Sequence, residues 1–155
     1  MIFGTRELDS LTAAAQASPR RRKNFNFHPD DAHPAHRLLN AVEPGSYVCP
    51  HRHLEADKDE TLVAVRGSFG VVFFDERGAV VEKAVIGAHG ERIGVNIPRG
   101  VFHSLVALET GSVFLEAKAG PYRPVTDKEL APWAPREGDA GAAAYQSTLV
   151  ALFDR

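Results

Sequence analysis

Residues 45–53 read Gly-Ser-Tyr-Val-Cys-Pro-His-Arg-His, and this stretch decides how the rest of the chain is interpreted. His51 and His53 are one residue apart, so on an extended segment both side chains point to the same side. Glu60 follows, and His103 ends the later run Pro-Arg-Gly-Val-Phe-His of residues 98–103. Three imidazoles and a carboxylate suit a divalent transition metal. The pattern predicts a metal site formed by His51, His53, Glu60 and His103.

Several details of this site stay open from sequence alone. Glu55 and Asp57 lie near enough to compete with Glu60 for the fourth position. Cys49 shares the parity of His51 and is either a small buried residue or a thiol that faces the site. With one cysteine in the chain, a closed structural zinc site is not expected. Imidazole and carboxylate ligands suit iron, zinc, manganese, nickel or copper, so the sequence does not identify the metal.

The composition is that of an ordinary globular domain. The chain has 155 residues, 44% hydrophobic and 25% charged, which fits one domain with a full core. A formal net charge of -2 gives no reason to expect nucleic acid or an anionic membrane as a partner. There is no apolar run of membrane-spanning length, the first residues lack the build of a signal peptide, and a single cysteine fits a reducing compartment. We therefore expect a cytoplasmic protein.

Short β-branched or aromatic runs, separated by glycine-containing turns, fill the middle of the chain. Without helices between them, such runs predict an all-β sandwich or barrel. The predicted strands are 61–65, 68–74, 80–86, 94–97, 103–108 and 112–117. Residues 24–40 are polar and predicted to be extended or loop-like. The basic run of residues 20–23 is either a solvated turn or an anion-binding edge near the site.

Helices are predicted only near the two ends. Thr5 to Ala17 has an apolar face and a proline two residues beyond it, with Thr5 as the expected cap. Thr126-Asp127-Lys128-Glu129 has the capping-box pattern and predicts one helical turn. Asp139 is the expected cap of a last helix over residues 140–153. These features divide a single domain into an N-terminal part (1–36), a barrel (37–125) and a helical tail (126–155).

The motif spacing resembles a known superfamily. Gly45-x5-His51-x-His53-x6-Glu60-x6-Gly67 resembles the first cupin motif, and Pro98-x-Gly100-x-x-His103 resembles the second. The resemblance spans residues 45–107. It implies a double-stranded β-helix, which is a jelly-roll barrel, with the two histidines of the first motif, Glu60 and His103 as the four metal ligands. The six-residue gap before Glu60 is longer than is usual in the superfamily, and Ala107 stands where an asparagine is common.

A narrower resemblance covers most of the chain. The segments 21–28, 37–41, 46–53, 118–122 and 133–135, with Lys58, are similar to the WbuC group of cupin-fold metalloproteins. Members of this group are associated with bacterial polysaccharide gene clusters. The resemblance implies a role on a sugar or sugar-nucleotide intermediate of surface polysaccharide synthesis. Cupin barrels commonly pair, and the exposed edge of a jelly roll gives a physical reason, so a homodimer is expected.

Polar residues of inward parity would decide what the barrel binds. The candidates for a catalytic base are Tyr47, Glu116 and a metal-bound hydroxide. The candidates for ligand binding are Arg22, Lys23, Arg37, Asn40, Lys58, Arg66, Lys118 and Tyr122. A basic set would favour a phosphorylated or carboxylated ligand if it gathers at the barrel mouth: Arg21, Arg22, Lys23, Arg37 and Lys58.

Three functions remain open from the sequence. The first is a metal-dependent isomerase or epimerase acting on a small anionic or carbohydrate-derived molecule. The second is an iron-dependent oxygenase of a small molecule. The third is a non-catalytic cupin that binds a small ligand, because the fold alone cannot choose among activities.

Overall fold

The computed structural model describes residues 1–154, which form two antiparallel β-sheets with one short helix near each end. The helices are α1 (Thr5–Ala17) and α2 (Ala142–Ala151). The strands are β1 (Arg22–Asn26), β2 (Ala35–Val42), β3 (Glu60–Arg66), β4 (Ser68–Phe74), β5 (Val80–Gly87), β6 (Gly94–Ile97), β7 (Phe102–Ala107) and β8 (Ser112–Ala119). The predicted all-β jelly-roll architecture is confirmed.

The two sheets differ in size. The larger sheet has the strand order β1-β2-β8-β3-β6, and the smaller has the order β5-β4-β7. Strands β3 and β4 are joined at Gly67, which has φ +66° and lies against Ser112, so a side chain here would be strained and would collide. The facing sides of the sheets bury a core in which Phe69 and Phe114 meet edge to face at 5.2 Å.

The first two strands were not predicted as strands. Residues 24–40, predicted to be extended or loop-like, contain the end of β1 and most of β2, which an irregular segment over residues 27–34 joins. Strand β1 pairs with β2 from Arg22↔Val42 to Asn26↔Leu38, and β2 continues the pairing onto β8. The outer face of β2 buries Leu39 and Ala41 against α1. Strand β1 is exposed at most positions, so it lacks the hydrophobic alternation that marks a half-buried strand.

The N-terminal helix has the predicted bounds but a different cap. Gly4 occupies the N-cap position, so the prediction of Thr5 as the cap is wrong. The Glu7 carboxylate accepts the backbone N–H of Gly4 at 2.8 Å. Because the acid in the first turn satisfies this donor, the helix can begin without a capping hydroxyl.

The C-terminal segment covers the outer side of the smaller sheet. Helix α2 is shorter than predicted and begins after Gly141, so Asp139 is not its cap; the Asp139 carboxylate instead accepts the backbone N–H of Arg136 at 2.7 Å. Residues 126–129 form a single turn, in which the Glu129 carboxylate accepts the backbone N–H of Thr126 at 2.9 Å. Neither helix of residues 1–154 has the length and apolar character needed to span a membrane.

Candidate metal centre

Two of the clustered histidines face each other across a backbone pair. The N–H of His51 donates to the carbonyl of His103 at 3.0 Å, and the N–H of His103 donates back at 2.9 Å. Each ring places Nδ1 2.9 Å from a nearby carbonyl, that of Cys49 for His51 and that of Val101 for His103. A neutral imidazole that donates from Nδ1 keeps its lone pair on Nε2, so both rings offer Nε2 to the centre.

His53 and Glu60 complete the cluster from the other side. The Nε2 of His53 lies 3.1 Å from Oε1 of Glu60, and the Nε2 of His103 lies 3.2 Å from Oε2 of the same carboxylate. Glu60 is the first residue of β3, where the chain returns to the larger sheet. The N–H of Gly100 donates to the carbonyl of His53 at 2.7 Å, which anchors the start of the loop between His53 and Glu60. The longer spacing before Glu60 therefore still brings it to the histidines.

The competing acids lie outside the cluster. Glu55 pairs with Arg123 at 3.1 Å and lies 3.9 Å from Lys58. The carboxylate of Asp59 accepts the backbone N–H of Arg99 at 2.8 Å, and Asp57 is exposed. Among the described acids, Glu60 is the one that joins the three histidines.

Burial and neighbouring groups together set the charge states of His51 and Glu60. Burial, aided by the nearby His103, lowers the pKa of His51 to about 3, so its ring is neutral at physiological pH. Burial alone would raise the pKa of Glu60. Contacts with His103 and His53 and the charge of Lys118 outweigh that effect and hold this pKa well below its usual range. A neutral imidazole and an ionised carboxylate are the protonation states that ligate metals.

The geometry fits a divalent metal ion. One donor atom from each of His51, His53, Glu60 and His103 lies within 4.8 Å of the other three. The Nε2 of His53 is buried and, within residues 1–154, makes no hydrogen bond of acceptable angle even though Glu60 is close. A buried ring nitrogen of this kind is costly unless another group uses it, and a metal ion would do so. Four protein ligands leave positions open on an octahedral ion.

A buried ion-pair network adjoins the cluster. The ammonium of Lys118 lies 2.8 Å from Glu60 and 2.6 Å from Glu116. Burial alone would lower the pKa of Lys118, but the charges of Glu116 and Glu60 raise it above its ordinary value. Burial raises the pKa of Glu116, with Lys118 opposing and Glu60 adding to that shift. Glu116 also accepts a hydrogen bond from the amide of Asn40 at 2.8 Å.

A cavity of about 170 Å³ opens beside the cluster. His51, Glu60 and His103 line it, together with four of the predicted ligand-binding or catalytic candidates: Arg22, Asn40, Glu116 and Lys118. Its volume is below the roughly 300–1,000 Å³ of drug-sized ligand pockets. The cavity therefore suits a small molecule, or one end of a larger one.

Tyr47 does not face this cavity, and its predicted orientation is wrong. Residues 43–59 do not form a regular strand, so the parity expected from His51 fails. The Tyr47 ring packs on the outer side of the smaller sheet, and its hydroxyl donates to the carbonyl of Pro135 at 2.7 Å. Burial raises the pKa of this phenol above its ordinary value. Cys49 lies on the same side, with Sγ 3.4 Å from the Pro135 carbonyl.

Arg66 also lies away from the cavity, contrary to the parity argument. The register of β3 on β8 shifts between Ala64 and Arg66, which is a β-bulge. One extra residue reverses the side-chain alternation, so Arg66 points outward. There it pairs with Asp9 of α1 at 2.7 Å.

The remaining basic candidates do not gather at the cavity. Lys58 is buried and donates to the carbonyls of Ala119 and Pro121, at 2.8 and 2.7 Å. Lys23 lies on the α1 side of β1, and Arg37 is exposed. The idea of a basic, anion-binding mouth made by this set is therefore wrong. Tyr122 lines a neighbouring cavity instead.

Sequence reasoning missed the partner of Arg22. The carboxylate of Glu137 lies 2.7 Å from both Arg22 and Arg20. The hydrogen bond from Arg20 and the contact with Arg22 together outweigh burial and lower the pKa of Glu137 to about 2. This acid is 115 residues from Arg22 in sequence, so no local motif could have revealed the pair.

Similar folds occur in several solved structures. KdgF from Halomonas sp. has a TM-score of 0.52 and 21% identity, over 68% of this chain and 84% of that chain. CapF, solved with the inhibitor 3-isopropenyl-tropolone, has a TM-score of 0.55 and 20% identity, over 65% of this chain and 29% of that chain. A conserved protein of unknown function from Streptococcus pyogenes has a TM-score of 0.50 and 13% identity, over 68% and 80%.

These likenesses establish the cupin fold and nothing about activity. No curated protein matches the chain. Residues 3–86, more than half of the chain, match the family model described as a domain of unknown function, DUF6016. The chain belongs to the DUF6016 family, and it has the cupin fold with a four-residue cluster that fits a metal ion.

Proposed function

We propose that this protein is a divalent-metal-dependent enzyme that acts on a sugar or sugar-nucleotide intermediate of surface polysaccharide synthesis, by isomerisation or epimerisation. The observation that carries the proposal is the group of His51, His53, Glu60 and His103 beside a cavity that also holds Glu116 and Lys118. In this proposal the first four residues ligate the metal. The resemblance to the WbuC group supports the sugar substrate.

The bound ion would supply Lewis-acid polarisation of a substrate oxygen. The chain's own residues would then perform the proton transfer. Glu116 is buried beside the cavity, and burial raises its pKa. A carboxyl group whose pKa is shifted towards neutral pH is suited to take up and return a proton. Lys118 lies between Glu116 and Glu60 and would keep the two carboxylates from repelling each other. Tyr47 has no part, because its hydroxyl lies on the opposite side of the smaller sheet.

The proposed role of Glu116 has a direct test. A base that removes a proton from carbon next to a carbonyl allows that position to exchange with solvent. We expect NMR spectra in D₂O to show metal-dependent deuterium incorporation into a carbonyl-bearing sugar substrate. Glu116→Gln keeps the size of the side chain but cannot take the proton, and we expect a rate loss of about 100-fold or more.

The control for this test is Glu82→Gln, which changes an exposed acid on β5 outside the cavity lining. That variant should retain the exchange rate. Exchange that is equally fast in Glu116→Gln would contradict the role of this residue. Thermal stabilisation by the sugar, without exchange or product, would favour a non-catalytic binding protein.

An oxygenase is the second candidate, favoured by a specific observation. Three histidines and one carboxylate form a donor set that suits Fe(II), and four protein ligands leave positions open. The small volume of the cavity also suits a small organic substrate. Substrate-dependent oxygen consumption by the iron-loaded protein would support this candidate. Turnover under anaerobic conditions with manganese or zinc would exclude it.

A further inference from the structure

The cavity of about 170 Å³ beside the four clustered residues is called the metal cavity below. A second cavity lies next to it on the inner face of the larger sheet. Its volume is about 270 Å³. It shares Glu116 and Lys118 with the metal cavity, so the two cavities adjoin at this ion pair. Its lining also includes Asn24, Asn26, His28, Asp31, His36 and Tyr122. If one end of a ligand occupied the metal cavity, the rest of that ligand would extend into this second cavity.

The first wall of this cavity consists of side-chain amides. Asn24 and Asn26 lie two residues apart on β1, so both point to the inner face. The amide of Asn24 donates to the amide oxygen of Asn26 at 2.7 Å, which orients the two groups. Each amide is both a donor and an acceptor, as is a hydroxyl group. Paired amides can therefore match neighbouring hydroxyls of a sugar without any charge.

The second wall is aromatic. His28 and His36 are buried and stack with ring centroids 3.8 Å apart and an interplanar angle of 19°. Ring nitrogens of both are engaged by backbone, since His28 Nδ1 and His36 Nε2 each lie 3.2 Å from a carbonyl. Tyr122 remains 53% exposed although it lines the cavity, and its backbone N–H is held by the carbonyl of Asp31 at 2.7 Å. An exposed aromatic ring offers an apolar face to the C–H groups of a sugar ring.

The charge of the lining argues against an anionic occupant. Among the described lining residues, Lys118 is the one lysine or arginine, and it is already paired with both Glu60 and Glu116. Asp31 adds a further acid. Recognition of phosphate normally uses arginine or lysine side chains that are free to donate. Arg37, the nearby basic candidate, is exposed and does not line the cavity.

We propose that this second cavity binds the neutral, hydroxyl-rich ring of a sugar, and that it disfavours a phosphate or carboxylate group at that position. The proposal rests on the proposed function for the idea that the ligand is a sugar. It adds which residues contact the sugar ring, and it requires that the ring carry no negatively charged group. A metal-chelating end of the same molecule would occupy the adjacent 170 Å³ cavity.

The test uses full-length protein and a panel of sugars. The probes are neutral hexoses, 6-deoxyhexoses and N-acetylhexosamines, beside the matching hexose 6-phosphates and uronic acids. Ligand-observed NMR titrations give the affinity for each probe, with and without added manganese. We expect the neutral sugars to bind more tightly than their 6-phosphates in both conditions. Tyr122→Ala and Asn26→Ala should each weaken neutral-sugar binding about 5- to 10-fold, as expected for the loss of one or two contacts.

The matched control is Phe25→Ala, which removes a part-exposed aromatic ring on the opposite face of β1. Circular dichroism checks that each variant is folded. Tighter binding of the phosphates, unchanged binding in Tyr122→Ala and Asn26→Ala, or no binding of any neutral sugar at about 10 mM would overturn the proposal. Failure of the metal chemistry is a separate result, because it would remove exchange or turnover but leave neutral-sugar binding to the metal-free protein intact.

Discussion

Replacing Lys118 by methionine removes an ammonium group that lies 2.8 Å from Glu60 and 2.6 Å from Glu116. The side chains of the two acids are only 7% and 11% exposed. Removing one partner of a buried ion pair costs about 3–5 kcal/mol, because the remaining charge is left uncompensated. Glu116 already has a raised pKa, and its protonation would relieve part of that cost. We therefore expect a loss of about 3 kcal/mol in the free energy of unfolding of the metal-free protein at neutral pH.

For a domain of this size, such a loss corresponds to a decrease of about 6–12 °C in melting temperature. Urea denaturation followed by circular dichroism, in the presence of a chelator, measures the free energy directly. The same measurement with a divalent ion gives the second part of the prediction. With one cation removed from the site, the ion should bind about tenfold more tightly to the variant, which narrows the stability gap by about 1.4 kcal/mol.

Lys58→Met is the matched control, because Lys58 is also buried but donates to two backbone carbonyls rather than to cluster carboxylates. It should destabilise the protein, since two carbonyls lose a partner. That loss should be the same with and without the metal ion. If both variants respond equally to metal, or if Lys118→Met is as stable as the wild type without metal, the account of the charge network is wrong.

Two further substitutions test other contacts. Glu137→Gln removes the pairs with Arg20 and Arg22. Because the pKa of Glu137 is lowered from 4.5 to about 2, its contribution is full above pH 4.5 and is lost as the pH falls towards 2. After a discount for its partial exposure, we expect urea denaturation to give a deficit of about 1 kcal/mol at pH 7, closing by pH 2; a deficit that does not change with pH would contradict this. Tyr47→Phe loses the hydrogen bond to the Pro135 carbonyl. Thermal denaturation should show a decrease of about 1 kcal/mol in the free energy of unfolding, and the metal content should stay the same. Loss of metal would contradict the placement of Tyr47 outside the cavity.

The hydrophobic pattern was sufficient for the central strands and insufficient for the first two. Strand β4 is buried at almost every position, and its bounds Ser68–Phe74 follow from an uninterrupted apolar run. Strand β1 carries charged and amide groups because its inner face lines cavities rather than the core. A polar strand has no hydrophobic signature, so single-sequence reasoning takes it for a loop.

Spacing was a good guide to the four clustered residues, but parity was a poor guide to their neighbours. His51 and His53 reach the same point from an irregular segment whose other members, such as Tyr47, turn outward. The bulge before Arg66 reverses its direction, and nothing in the local residues announces that bulge. The ion pair of Arg22 with Glu137 depends on how the C-terminal segment folds back, which is a tertiary property.

The most direct test of the metal site is the metal content of the purified protein. Inductively coupled plasma mass spectrometry should find about one divalent transition-metal ion per chain, consistent with one four-donor cluster. The double variant His51→Ala/His103→Ala should lose it, and the control His28→Ala/His36→Ala should keep it, because that stacked pair lies outside the cluster. No bound metal in the wild type, even after reconstitution, would contradict the central claim, as would equal metal content in the two double variants.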